Sequence, residues 1–192
     1  MSGTSQYRSP PSSTSTECQP RAIEGLEVCR VRFDVAEVSL VPVPFDRERH
    51  LPLLLEADEA EEHMYGYLDR GELLEIHGAD GMIGVAVLVR EADEVEIWNI
   101  ALAEDYRGRG LGRVAIGAIA DRCTRAGASH LTVGTSDCSL GTIAFYRKAG
   151  FRFAGVREGY FDTYPMAVVE HGIRARDMVM FRMALPPDST RT

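Results

Sequence analysis

The chain has 192 residues, of which 45% are hydrophobic and 26% are charged, and its formal net charge is -8. This length and composition predict one globular domain with a sizeable core. The acidic balance argues against general nucleic-acid binding, which requires a basic surface. It is compatible with cationic partners such as amines, although solubility alone also accounts for it.

The cysteines and histidines are few and scattered. The four cysteines form no Cys-x-x-Cys pair, and none lies beside a histidine at metal-ligand spacing. We therefore expect free thiols in a reducing compartment and no metal site. No apolar run approaches the roughly 20 residues of a membrane helix, and the N-terminus lacks the hydrophobic segment of a signal peptide. These features predict a cytoplasmic protein without a membrane partner.

The two ends of the chain differ in composition from the middle. Residues 1–22 are rich in Ser, Thr and Pro and contain few large apolar side chains. Such a segment cannot bury enough surface to offset its ordering entropy, so we expect a disordered tail. Residues 23–186 then form the single domain, and residues 187–192 form a second, short tail.

The sequence of the first half of the domain predicts two half-buried strands, a helical region and a β-hairpin. Alternation of apolar and polar residues indicates the strands. In the helical region residues 53–55 form an apolar patch, and Met64, Tyr65 and Leu68 return at helical spacing before Gly71. The turn Ala79-Asp80-Gly81 is typical of a hairpin. The predicted elements span residues 31–35, 37–41, 51–68, 73–77 and 82–89.

The second half alternates strands and helices. Apolar residues on one face of the helix after Arg107 and the stops at Gly127 and Gly150 mark the boundaries. The order of elements implies an α/β fold with a mixed central sheet flanked by helices. The predicted strands span residues 95–102, 130–135, 151–156 and 178–183, and the predicted helices span residues 111–126 and 139–149.

A glycine-rich turn, Arg107-Gly108-Arg109-Gly110-Leu111-Gly112, follows a strand and opens a helix. Backbone N–H groups at a helix start are unpaired and carry partial positive charge. Glycines let a phosphate approach those amides, so this turn can hold a pyrophosphate. A Walker loop is excluded because no Gly-Lys precedes Ser or Thr. A Rossmann fingerprint fits badly because it needs an acidic residue at the end of the next strand, and that strand ends here at Thr135-Ser136. A turn without a ligand is the alternative.

A second motif, Phe145-Tyr146-Arg147-Lys148-Ala149-Gly150-Phe151, ends the next helix. Together with the glycine-rich turn, it resembles the GNAT family of N-acetyltransferases. The family signature is Arg or Gln, two residues, Gly, one residue, then Gly or Ala; its other motif is a helix ending in Tyr, followed by Gly-Phe. The resemblance covers residues 35–185 and implies a mixed, mostly antiparallel sheet flanked by helices. It also implies acetyl-CoA as co-substrate, an amine acceptor and no metal.

Two positions depart from the family pattern. Ser139 stands where the family often has Asn, and it can still cap the helix or bond the cofactor. Leu102 stands where Val is commoner, which is a mild change.

The resemblance also implies where the cofactor lies. It wedges between two splayed strands, those containing Ile100 and Leu131. Free backbone groups of the first strand bond the pantetheine arm and the thioester oxygen, and the amides of the glycine-rich turn hold the pyrophosphate. The expected cofactor-binding residues are Ile100, Ala101, Leu102, Arg107, Gly108, Arg109, Gly110, Leu111, Gly112, Arg113 and Ser139.

Catalysis needs a neutral amine, a stabilised carbonyl oxygen and a proton for the departing thiolate. Tyr146 is the candidate general acid, because a phenol with a pKa near 10 stays protonated at about pH 7; a core tyrosine is the alternative. Glu96 is the candidate general base, eleven positions before Arg107 on an otherwise apolar strand. Its alternative is a solvated carboxylate at the strand end, next to a run of acidic residues.

The acceptor is not named by any motif. Trp98 and Asn99 are candidate pocket residues, and Glu170 and Asp177 are candidate anchors for a cationic substrate; core packing and surface charge are the alternatives. The family resemblance places the acceptor pocket at residues 49–70 and 158–176.

Three functions compete at this point: an N-acetyltransferase, a non-catalytic acyl-CoA-binding or sensing module, and a nucleotide-phosphate binder of another class. Only the first needs Tyr146 and a base. A homodimer is compatible with the sequence.

Overall fold

The computed structural model describes residues 37–57, Gly66, Leu68 and residues 70–187. The predicted strand at 31–35, the tail at 1–22 and residues 188–192 lie outside the described residues. Most of the second half of the predicted helical region at 51–68 lies outside them as well.

The strands and helices follow the predicted order closely. The described strands are β1 (Ser39–Pro42), β2 (Glu72–Gly78), β3 (Gly81–Glu91), β4 (Glu94–Leu102), β5 (His130–Ser136), β6 (Arg152–Arg157), β7 (Val169–Glu170), β8 (Ile173–Arg174) and β9 (Met178–Ala184). The helices are α1 (Leu51–Leu55), α2 (Leu111–Arg125) and α3 (Leu140–Lys148), with 3-10 helices at Arg47–His50, Glu104–Tyr106 and Tyr160–Thr163. The 3-10 helix at Tyr160–Thr163 and the β7–β8 hairpin were not predicted.

Seven strands form one mixed sheet in the order β1-β2-β3-β4-β5-β9-β6. Every neighbouring pair is antiparallel except β4 and β5, which are parallel. The predicted hairpin is confirmed: Gly78 pairs with Gly81 across the turn between β2 and β3. The mostly antiparallel sheet flanked by helices is therefore confirmed.

The parallel pair opens partway along its length. Pairing between β4 and β5 runs from Glu94 opposite His130 to Ile97 opposite Val133. Beyond Ile97, β4 continues along β3 as far as Leu102, while β5 continues along β9. Because each strand keeps its outer neighbour but loses the inner one, a V-shaped gap opens in the middle of the sheet.

Two apolar cores hold this sheet in place. The larger core packs α2 and α3 against the sheet around fully buried side chains such as Ile116, Ile119 and Phe181. The smaller core packs α1 against β2 and β3 and is centred on Leu54 and Leu73. Burial of each such side chain stabilises the fold by about 1.5–3 kcal/mol. The strands on both sides of the gap between β4 and β5 therefore pack against a buried core.

Candidate active site

A cavity of about 800 Å³ lies where β4 and β5 part. Its wall includes residues 97–100 of β4 and residues 133–136 of β5, together with the start of α3 and the loop after β6. Glu56, Ala57, Gly66 and Arg70, which follow α1 in the chain, line it as well. Seven of the predicted site residues meet at this wall: Glu96, Trp98, Asn99, Ile100, Ser139, Tyr146 and Glu170. The remaining ones, Ala101, Leu102, Asp177 and residues 107–113, lie off the cavity wall.

Tyr146 lies on the inner face of α3 and is 5% exposed. Its ring contacts Phe145, Phe151 and Phe181, with centroids 5.2, 5.6 and 5.8 Å away. Burial raises the pKa of Tyr146 well above its ordinary value, because the phenolate would lose its hydration. The side chain thus belongs to the core and to the cavity wall at once, as a protonated phenol.

Glu96 lies on β4 at the narrow end of the gap and is 21% exposed. Its Oε2 accepts a hydrogen bond of 2.8 Å from Arg157 at the end of β6. This ion pair raises the pKa of the Arg157 guanidinium, chiefly through the hydrogen bond. The carboxylate is therefore held across the cavity wall by a cation that the sequence analysis did not name.

Asn99 and Trp98 take part in packing as well as in the wall. The amide nitrogen of Asn99 donates to the carbonyl of Leu54 at 3.1 Å, which ties β4 to α1. The indole of Trp98 packs against the smaller core, and the Arg70 guanidinium lies 5.4 Å from its ring centroid. Trp98 therefore packs against the smaller core and also lies on the cavity wall.

The glycine-rich turn has the backbone geometry of a helix start. Gly108 and Gly110 have φ values of 71° and 82°, a region that side chains with a Cβ rarely adopt. Gly112 has a different reason to be glycine: a Cβ there would lie 3.1 Å from Cε2 of Phe145. The turn is exposed, and the position of a Cβ on Gly108 is open space.

Two groups in this turn already have partners. The Nε of Arg107 donates to the carbonyl of Leu102 at 2.7 Å, and its NH2 pairs with Glu56. The amide of Arg113 donates to the carbonyl of Gly110 at 3.1 Å. The side chain of Arg107 therefore ties the turn to β4 and to the end of α1.

Ser139 occupies the N-cap position of α3, but its hydroxyl makes no capping hydrogen bond. The hydroxyl donates instead to Oε1 of Glu170 at 2.6 Å. Of the two roles that the sequence allows for Ser139, helix capping is not made in this structure, and its hydroxyl proton binds a carboxylate of the segment after β6.

The loop after β6 carries aromatic side chains that the sequence analysis did not single out. Tyr160, Phe161 and Tyr164 line the cavity, with ring centroids 4.9–5.9 Å apart. Their signal in the sequence is three aromatic residues within five positions, inside the segment 158–176 expected to form the acceptor pocket.

Two aspartates fasten both ends of that loop. Oδ1 of Asp177 accepts from the amide of Gly159 at 2.8 Å, and Oδ1 of Asp137 accepts from the amide of Arg176 at 3.1 Å. Asp177, a predicted substrate anchor, thus has a role in positioning the aromatic loop.

Within residues 37–57, 66, 68 and 70–187, no three His, Cys, Asp or Glu side chains are grouped so that they could hold a metal ion. Cys123 and Cys138 are buried free thiols, and the two remaining cysteines lie outside the described residues.

Known proteins match both the sequence and the fold. Residues 34–151 match the model of the acetyltransferase (GNAT) family. The chain is 33% identical over 135 residues to the uncharacterized N-acetyltransferase YvbK of Bacillus subtilis (strain 168). This match covers 69% of this chain and 87% of that protein.

Two solved structures are similar to this fold. One is a GNAT family acetyltransferase from Elizabethkingia anophelis with acetyl-CoA bound, with a TM-score of 0.70 and 31% identity over 77% of this chain and 98% of that one. The other is the IAA acetyltransferase from Bacillus cereus ATCC 14579, with a TM-score of 0.70 and 34% identity over 78% of this chain and 100% of that one.

Proposed function

The chain belongs to the acetyltransferase (GNAT) family, and we propose that Tyr146 and Glu96 carry out its transfer of an acetyl group to a primary amine. The protein is an acetyl-CoA-dependent N-acetyltransferase. The observation that supports these two residues is their common position: both line the cavity at the gap between β4 and β5.

The gap suits the pantetheine arm of acetyl-CoA. Beyond Ile97, the backbone of β4 is no longer paired with β5, so its polar groups on that side can bond an elongated ligand. Ile100 and Ser139 line the same cavity, while the carbonyl of Leu102 already accepts from Arg107. We therefore assign the pantetheine contacts chiefly to the backbone of Ile100 on the cavity wall, with Ala101 next to it on the same strand.

The pyrophosphate of acetyl-CoA fits the start of α2. The backbone amides of residues 108–112 lie at the positive end of the helix dipole, and Gly108 leaves them accessible. The side chains of Arg109 and Arg113 are exposed beside this turn and add positive charge. Arg107 contributes by holding the turn against β4.

In the proposed reaction the amine nitrogen attacks the thioester carbonyl, a C–N bond forms and the C–S bond breaks. Glu96 accepts the proton that the amine loses, directly or through water, by way of Oε1, since Arg157 binds Oε2. Tyr146 donates its phenolic proton to the departing thiolate, and its raised pKa keeps that proton available at neutral and mildly alkaline pH.

The cytoplasm is the proposed location, and a homodimer is a further proposal. A net charge of -8 disfavours a nucleic-acid partner. In the part of the chain that the structure describes, no helix is both long and apolar enough to cross a membrane. Light scattering on the purified full chain tests the homodimer.

The experiment is an amine screen with the purified full chain. Acetyl-CoA is supplied with a panel of primary amines, and free thiol release is measured with and without each amine. We expect amine-dependent release and acetyl-CoA binding by calorimetry. Binding without turnover on any amine would favour the sensing module, and absence of binding by folded protein would overturn the assignment.

A further inference from the structure

We propose that the acceptor is a monoamine carrying an aromatic ring or a similarly flat apolar group. The ring packs against an aromatic wall, defined as Trp98, Tyr160, Phe161 and Tyr164, and Glu170 attracts the ammonium group. This inference rests on the proposed function and names the substrate class of the same cavity.

The loop part of the aromatic wall is held in place by contacts within the protein. Its loop rings are in mutual contact, with centroids 5.1 Å apart for Tyr160 and Phe161 and 4.9 Å apart for Phe161 and Tyr164. The amides of Gly159 and Arg176, one at each end of the loop, are held by aspartate side chains. A preorganised aromatic surface binds a flat ring with little loss of side-chain freedom, and flat rings stack on it better than saturated ones.

The described part of the cavity wall carries charges of both signs. Among the described lining residues, the charged side chains are three carboxylates and two guanidinium groups: Glu56, Glu96, Glu170, Arg70 and Arg157. What an ammonium group meets there depends on which of these carboxylates already has a cationic partner.

Two of these carboxylates are already neutralised. Glu56 pairs with Arg107, and Glu96 pairs with Arg157. The partner of Glu170 is the neutral hydroxyl of Ser139, at 2.6 Å. Glu170 is thus the carboxylate with the most charge left for an ammonium group.

A polyamine fits the described part of this wall poorly. Among the described lining residues, the carboxylates left for its second and third ammonium groups are already paired with arginines. These ammonium groups would also lie near the guanidinium groups of Arg70 and Arg157, and like charges in a partly enclosed cavity repel. Arg70 is additionally held over the ring of Trp98, with its guanidinium 5.4 Å from the ring centroid. The combination of aromatic faces and one uncompensated carboxylate selects for an aromatic monoamine.

The test compares four acceptors at equal acetyl-CoA. Phenethylamine and 2-cyclohexylethylamine have the same carbon skeleton and charge and differ in flatness; spermidine adds charge, and a short peptide with a free N-terminus adds size. We expect kcat/KM for phenethylamine to be at least tenfold higher than for each of the others. Equal or higher kcat/KM for 2-cyclohexylethylamine, spermidine or the peptide would overturn the inference.

Variants test the two parts of the site separately. Tyr164→Leu should reduce the ratio of kcat/KM between phenethylamine and 2-cyclohexylethylamine by at least threefold, without changing the Kd of acetyl-CoA. Glu170→Gln keeps an acceptor for the Ser139 hydroxyl but removes the charge, so KM for phenethylamine should rise about tenfold while kcat changes less. Glu37→Gln, an exposed position outside the cavity wall and outside the expected acceptor segments, is the matched control and should change neither.

The outcomes separate the two levels of proposal. If no amine releases thiol and acetyl-CoA does not bind, the proposed function fails. If amines are acetylated but Tyr164→Leu leaves the ratio unchanged, or Glu170→Gln behaves like Glu37→Gln, the acceptor inference alone fails. Circular dichroism of each variant verifies that the fold is retained.

Discussion

Replacing Tyr146 by Phe removes one hydroxyl and keeps the ring. The ring contacts with Phe145, Phe151 and Phe181 remain, so the free energy of unfolding should change by less than about 1 kcal/mol. A positioned general acid typically contributes about 100-fold or more to the rate. We therefore expect kcat to fall about 100-fold, which corresponds to about 2.7 kcal/mol of transition-state stabilisation.

The measurement is kcat at saturating amine, together with the Kd of acetyl-CoA by calorimetry. The Kd should change less than about threefold, because the proposed role of the hydroxyl is proton donation rather than cofactor binding. Tyr106→Phe makes the same chemical change at a half-buried residue that packs on the larger core and lies off the cavity wall. It should leave kcat unaltered.

The pH dependence of the wild-type kcat provides a second test of Tyr146 as the general acid. Because burial raises the pKa of Tyr146 above its ordinary value near 10, the phenol stays protonated as the pH rises from 8 to 10. The wild-type kcat should therefore not decline over that interval through loss of the general acid.

A kcat of Tyr146→Phe within twofold of the wild-type value would show that Tyr146 takes no part in the proton transfer.

Three further predictions test the scaffold. Gly112→Ala places a Cβ 3.1 Å from Phe145, so it should lower the free energy of unfolding in urea by about 1–2 kcal/mol and weaken acetyl-CoA binding. Gly117→Ala, with open space at its Cβ, is the control. Identical behaviour of the two variants would contradict the expected clash with Phe145. Phe181→Ala empties a fully buried site and should cost about 3–5 kcal/mol by the same method; a loss below about 1 kcal/mol would refute its central place in the core. Burial lowers the pKa of His50 below its ordinary value, against a smaller opposing effect of Glu75; the unfolded chain therefore binds the proton more readily, and stability should decrease as the pH falls below about 6.5. Urea midpoints at pH 7.5 and 5.5 should differ more in wild type than in His50→Asn, and equal differences would refute this assignment.

Local patterns in the sequence were sufficient for most of the fold. The α2 and α3 boundaries and the β2–β3 hairpin were predicted to within one or two residues, because periodicity and glycine stops act over a few neighbouring positions. The glycine-rich turn and the Tyr146 motif also identified the family, since both depend on short spacings.

The acceptor side could not be predicted in the same way. Arg157 meets Glu96 across 61 positions of the chain, and Glu170 meets Ser139 across 31. Neither pairing leaves a periodic signal, because long-range contacts depend on how separate elements pack.

The sequence by itself determined the order of elements, the glycine-rich turn at the start of α2 and the position of Tyr146 on α3, all of which follow from local conformational preferences. Only the tertiary structure decided where β4 and β5 separate, beyond Ile97 and Val133, and which charged and aromatic side chains border the opening. The physical reason is that strand pairing and side-chain packing join segments that are distant in sequence. Which of these segments meet depends on how the whole domain minimises exposed apolar surface and unpaired charge.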